Sequence, residues 1–136
     1  MVQIEQDLYD ATAQLIRSRY PTGWGGAAGV RTESGTILTS VAPEVKNDAL
    51  SLCMEVGAYL EAHKLNESVT HSLCLYCENE NSDFRVLSPC GICQERLVQW
   101  GGDVKAAITT DDNQLIFKTV RELMPHHWSL VNGEAL

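Results

Sequence analysis

Two cysteine-bearing stretches, far apart in the chain, constrain its fold more than any other feature: Cys53-Met54-Glu55 and Ser88-Pro89-Cys90-Gly91-Ile92-Cys93. Ser88 is a favourable helix N-cap, and Pro89 suits the first helical position, where a missing N–H costs nothing. The pattern predicts a helix that opens at Pro89 with Cys90 and Cys93 three apart on one face of its first turn. Side chains there lean toward the open N–H groups, and the positive end of the helix dipole favours thiolates. Two cysteines so placed supply half of a tetrahedral zinc site. The fold has to deliver the other half.

The rest of the chain supplies the scaffold. Apolar residues at Ile4, Leu8, Ala11, Leu15 and Ile16 have helical spacing and predict a helix over 3–19, ended by Pro21 and the Gly23-Trp24-Gly25-Gly26 run. Residues 27–32 and 36–41 read as a hairpin turning at Glu33-Ser34-Gly35. A helix is predicted over 51–64, with Cys53 and Glu55 in its first turn and Leu52, Val56, Tyr59 and Leu60 buried. A strand at 69–77 is followed by a polar loop at 78–83, and the Pro89 helix runs to Trp100, stopping at Gly101-Gly102. Strands at 104–109 and 114–120 are joined by a link so short that they must be antiparallel. Two helix crossovers favour parallel neighbours elsewhere. The expected architecture is a single α/β domain spanning 1–136, a mixed five-stranded sheet with helices on both faces. In such sheets chemistry gathers where strands end and helices begin.

Charge and cysteine usage narrow the partners. Ten basic against 18 acidic residues give a formal charge of −8. That charge repels phosphate backbones and anionic lipid surfaces, so no nucleic acid or membrane partner is expected. The N-terminus Met1-Val2-Gln3-Ile4-Glu5-Gln6-Asp7 lacks the basic and apolar segments of a secretory signal, which predicts a cytoplasmic protein. An odd set of cysteines, at 53, 74, 77, 90 and 93, points to metal or redox chemistry rather than a disulfide framework.

The cysteines allow three readings. Cys74, Cys77, Cys90 and Cys93 spell the C-x2-C…C-x2-C of a structural zinc module, but Cys74 and Cys77 lie in a predicted strand, where residues three apart face opposite ways. Cys90-Gly91-Ile92-Cys93 alone fits a thioredoxin-type redox pair, which leaves Cys53 and Glu55 without a role. The third reading takes Cys53, Cys90 and Cys93 as ligands of one zinc ion with the fourth position open, as in catalytic sites. Glu55 is then placed to move protons without being a ligand, the division of labour of the zinc deaminases.

The pairing of Cys53-Met54-Glu55 with Pro89-Cys90-Gly91-Ile92-Cys93 resembles the C-A-E and P-C-G-x-C motifs of the cytidine deaminase family, which includes the blasticidin S deaminases. The resemblance runs from the Tyr20…Gly26-Ala27-Ala28 stretch to Arg121-Glu122-Leu123-Met124-Pro125. It implies a three-layer α/β/α cytidine deaminase-like fold, one zinc ion per chain on Cys53, Cys90 and Cys93, and Glu55 as proton shuttle. It also implies a small cytosine-containing substrate met at its pyrimidine edge by the backbone around Met54 and Ser88, and a homotetramer or homodimer. Three departures bear on substrate choice. The family's ribose-holding Asn-x-Glu pair aligns on Ala42 and Glu44, so only the acid is present. The base-stacking aromatic aligns on Gly23, with Trp24 beside it. The Arg that often follows the catalytic Glu is Val56 here, leaving Arg96 or the helix ends to offset the third thiolate. His63 and His71 read as surface or loop-end residues. The tail His126-His127-Trp128 occupies the place where family members set an aromatic over a neighbour's site, which makes Trp128 a candidate lid.

Overall fold

The computed structural model describes residues 2–136. A long helix α1 (Gln3–Arg19) precedes the hairpin β1 (Gly25–Thr32) and β2 (Ile37–Ser40). Helix α2 (Val56–Leu65), strand β3 (Val69–Cys77), the short β4 (Arg85–Leu87) and helix α3 (Gly91–Leu97) follow. Strands β5 (Lys105–Ala107) and β6 (Phe117–Thr119) and a single turn of helix, α4 (Val120–Leu123), complete the regular elements.

The five strands expected from the sequence form the continuous path β2-β1-β3-β5-β6, and β4 adds a short sixth strand on the edge of β3. Gly35, at φ +93°, makes the hairpin turn. The β3–β5 pair is parallel and β5–β6 antiparallel, as the link lengths require. The first crossover does not give parallel neighbours: β1 lies between β2 and β3 and is antiparallel to both.

One layer is α1, whose Leu8, Ala13 and Ile16 pack on Ala27, Leu73, Leu75 and Cys77. The close approach requires small residues in β1: a Cβ on Gly29 would fall 2.2 Å from Thr12 Oγ1. The opposite layer is α2 and α3, where Val56, Tyr59, Ala62, Cys93 and Leu97 pack on Val30, Leu38, Val69 and Ala106.

Several expected boundaries move. Helix α2 starts at Val56 instead of residue 51, so Cys53 and Leu52 precede it, and Leu52 is exposed. The buried stripe becomes Val56, Ala58, Tyr59 and Ala62, which turns Leu60 outward to 61% exposure. Helix α3 begins at Gly91 with Cys90 as its N-cap, displacing Ser88 and Pro89 from those positions. Ser88 instead bonds across to Thr109: its hydroxyl accepts from the Thr109 N–H and its own N–H donates to the Thr109 hydroxyl. Helix α3 also stops short of Trp100, its last turn tightening at Val98–Trp100. The final strand ends at Thr119, which caps α4 reciprocally with Glu122. Among the described residues, no helix is long and apolar enough to cross a membrane.

Candidate active site

The start of α3 and the approach to α2 meet at one end of the sheet. Cys53 Sγ lies 3.5 Å from Cys90 Sγ, and the sulfurs of Cys53, Cys90 and Cys93 all lie within 4.8 Å of one another. An ion holding thiolates tetrahedrally at about 2.3 Å keeps the sulfurs about 3.8 Å apart. The donor set and its spacing therefore fit a zinc ion with three protein ligands. Among the described residues it is the one cluster of His, Cys, Asp and Glu with such spacing.

The thiols are not equivalent. Burial would raise Cys90, but the N–H groups of Cys93 and Ile92 and its contacts with the other two thiols bring it below the ordinary cysteine value. Burial, and then the neighbouring Glu55 charge, push Cys93 well up. Burial and the Cys90 contact raise Cys53. Three thiolates crowd one another in this way until a cation joins them. Part of that charge is met from α3 itself: Arg96 donates from Nη1 to Cys93 Sγ at 3.3 Å. An arginine one turn from the ligand thus stands in for the residue that Val56 cannot provide.

Glu55 is 3% exposed and sits at the N-cap of α2, yet its side chain makes no capping bond. Ser40, from β2, takes over that duty: its hydroxyl accepts from the Ala58 N–H at 3.0 Å and donates to the Met54 carbonyl at 2.6 Å. A Cβ on Gly57 would fall 2.9 Å from Ser40 Cβ, so a glycine is needed for β2 to come this close. The Glu55 carboxylate points to the sheet, where Oε2 accepts from Cys74 Sγ at 2.9 Å.

Cys74 and Cys77 occupy opposite faces of β3, Cys77 within the apolar layer under α1 and Cys74 toward Glu55. They do not join Cys90 and Cys93, and the four-cysteine module is not assembled. Cys74 also does more than fill space in the core, since it donates to the carboxylate. Burial and the Glu55 charge raise its thiol well above the ordinary value, which keeps its proton in place.

A cleft of about 220 Å³ opens over these groups, lined by Cys53, Met54, Glu55, Cys74, Leu87, Ser88 and Cys90. Met54 and Ser88 are thus both in the lining. Trp24, 51% exposed, is not in the lining but flanks it: a Cβ on Gly26 would meet both the Trp24 ring at 2.6 Å and the Met54 methyl at 3.1 Å. Glu44 is exposed and ion-paired with Arg19 at 3.2 Å, and Ala42 is half-buried in the loop after β2; neither lines the cleft. A larger hollow of about 410 Å³ between α2 and α3 contains none of the three cysteines.

Trp128 is 65% exposed and outside this chain's own cleft, with its indole N–H on Glu95 of α3 at 2.9 Å. Its neighbour His127 is buried, with Nε2 at 2.9 and 2.8 Å from the two Glu95 oxygens and Nδ1 at 2.9 Å from Ser129 Oγ. The Ser129 hydroxyl donates to the Glu134 carbonyl, so this group ties the tail to α3 rather than presenting a nucleophile. His63 is an exposed residue of α2 stacked on Trp100, a surface position as expected, whereas His71 lies inside β3, half-buried against Phe117.

The chain matches no protein-family model. A crystal structure of the cytidine deaminase from Bacillus anthracis is similar at 57% identity and a TM-score of 0.94, over 96% of this chain and 94% of that one. The cytidine deaminase from Mycobacterium leprae shares the fold at 20% identity and a TM-score of 0.69, over 93% of this chain and all of the other. Among curated proteins, the blasticidin-S deaminase of Bacillus cereus is 26% identical over 102 residues, 72% of each chain.

Proposed function

This chain belongs to the cytidine deaminase family, and from that premise we propose that it hydrolyses the 4-amino group of a cytosine nucleoside, cytidine or deoxycytidine, giving the uracil nucleoside and ammonia. The observation that carries the reading is the convergence of three sulfurs within 4.8 Å beside a buried carboxylate that neither caps its helix nor joins an ion pair. Cys53, Cys90 and Cys93 hold the zinc ion. When bound, zinc makes water acidic enough to act as a nucleophile near neutral pH.

The chain's own residues then orient the ring and move protons. The ring enters the cleft between Met54 and Ser88, whose backbone meets the pyrimidine edge, with its C4 directed at the cysteines. Glu55 takes the proton released by the attacking water and delivers it to N3, then passes a second to the departing amine. One water is consumed and one ammonia leaves. Arg96 shares the charge of Cys93, and Leu87 closes an apolar wall that helps exclude bulk water.

Glu44 and Ala42, outside the cleft lining, mark the side on which the sugar extends, and Trp24 offers a face to the base from the rim. Absence of an Asn at Ala42 supports blasticidin S or another modified cytosine as the alternative substrate, in keeping with the 26% identity to the Bacillus cereus enzyme. We place the enzyme in the cytoplasm, in pyrimidine salvage, as a homotetramer or homodimer in which Trp128 covers a neighbouring site. Truncation after Pro125 then raises KM.

The deciding experiment is ammonia release from cytidine, deoxycytidine, cytosine and blasticidin S by the zinc-loaded protein. Turnover of the two nucleosides is expected; turnover of blasticidin S alone selects the alternative. Cys53→Ser tests the metal assignment, because a four-cysteine module of Cys74, Cys77, Cys90 and Cys93 keeps its zinc after that change and the proposed site does not.

A further inference from the structure

We propose that Cys74, a residue with no part in metal binding, is the positioning residue of the catalytic carboxylate: its S–H holds Glu55 Oε2 against the sheet so that Oε1 is presented to the cleft. The inference rests on the reading of Glu55 as the proton carrier.

Four observations support it. First, the contact is between two buried side chains from distant elements, a thiol on β3 and a carboxylate at the mouth of α2, at 2.9 Å. Second, it is the hydrogen bond that the Glu55 side chain makes among the described residues; Oε1 has none there, and no buried side-chain nitrogen or oxygen is left unpaired. Oε1 is therefore the oxygen open to the cleft. Third, the backbone of Cys74 is fixed from both sides, paired with Ala28 on β1 and Leu87 on β4. The anchor is thus set in the rigid centre of the sheet, whereas Glu55 stands in a turn ahead of its helix. Fourth, the neighbouring contact one step along the same face is built alike: Ser72 bonds the Tyr59 hydroxyl at 2.7 Å, so β3 grips α2 through two polar pairs.

A thiol is also an apt donor for this task. An S–H group donates one hydrogen bond, so it fixes one carboxylate oxygen and leaves the other free. A carboxylate that must accept and release a proton within one turnover works best when its geometry is set in advance.

Three variants separate donor from packing. Cys74→Val fills the space without a donor, Cys74→Ser restores a donor, and Cys74→Ala provides neither. With zinc content and Tm measured alongside, Cys74→Val and Cys74→Ala are expected to lose about tenfold in kcat with KM little changed, the size expected for one misplaced hydrogen bond. Cys74→Ser is expected to recover most of that turnover. As a readout independent of activity, the Cys74 S–H stretching band, identified by its loss in Cys74→Ser, should move to higher frequency in Glu55→Ala. Equal kcat in wild type and Cys74→Val overturns the proposal, as does an S–H band indifferent to residue 55. A zinc-loaded wild type that releases no ammonia from any cytosine compound defeats the deaminase reading and this proposal together, an outcome plainly different from an active enzyme that ignores residue 74.

Discussion

The face of β3 that meets α1 carries His71, Leu73, Leu75 and Cys77, whereas the face that meets α2 and α3 carries Ser72, Cys74 and Tyr76. On the first, contact is almost wholly apolar. Even the buried Thr12 of α1 keeps its hydroxyl on its own helix, donating to the Leu8 carbonyl at 2.8 Å. On the second, side chains of the strand reach polar partners on α2 at Tyr59 and Glu55. One strand therefore separates two tasks by its period of two: the α1 side supplies cohesion, and the α2–α3 side fixes polar groups, among them the proposed proton carrier. Substitutions on the two faces should fail in different assays.

The widest separation is expected from Glu55→Gln. Loss of the proposed proton carrier should lower kcat by about 10²- to 10⁴-fold while zinc content and Tm stay near wild type. Retained turnover would place the proton path elsewhere. Its counterpart is Leu73→Ala on the cohesive face, where the residue is fully buried. About 2–5 kcal/mol of stability should be lost in denaturant titrations, with kcat unaltered in the molecules that remain folded. A fall in kcat there would break the division between faces.

Arg96→Gln removes the cation 3.3 Å from Cys93. Zinc affinity should fall about tenfold in competition with a chelator, the usual scale for an outer partner of a metal ligand. Ser40→Ala removes the remote cap of α2 and should cost about 1 kcal/mol. It should also lower kcat, since the turn bearing Glu55 is tied through Met54.

The smallest effect is a pH dependence on the cohesive face. Burial, and then the charges of Lys105 and Arg31, bring His71 down to about 4. The unfolded chain takes up that proton near pH 6.5. The contribution is thus full above pH 6.5 and is lost as pH falls toward 4. Because water screens a half-exposed ring, the loss is on the order of 1 kcal/mol. It should vanish when wild type is compared with His71→Phe across that range.

The parts legible in the sequence were those written as spacing. Cys90 and Cys93, three apart, and Glu55, two after Cys53, announce a metal site with a nearby acid, and the strand at 69–77 shows in its apolar pattern. Boundaries set by tertiary contacts were not legible. Residues 51–55 have helical character but are held out of α2, and Ser88-Pro89 reads as a helix start although Ser88 is engaged with Thr109. Cys74 was hidden for a similar reason: in sequence it is one apolar residue in an apolar strand, and only the approach of α2 gives its proton an acceptor. The tail contact of His127 and Trp128 with Glu95 links residues more than thirty apart and leaves no local trace.

The hydroxyl of Ser40 has a consequence for how the site holds its shape. A helix whose opening turn is tied by its own side chains can start anywhere the chain is released, but α2 borrows its tie from a strand fourteen residues upstream of Met54. The turn at residues 53–55 therefore takes its shape from β2 as well as from its own stretch of chain, and any displacement of the hairpin is passed directly to Cys53 and Glu55.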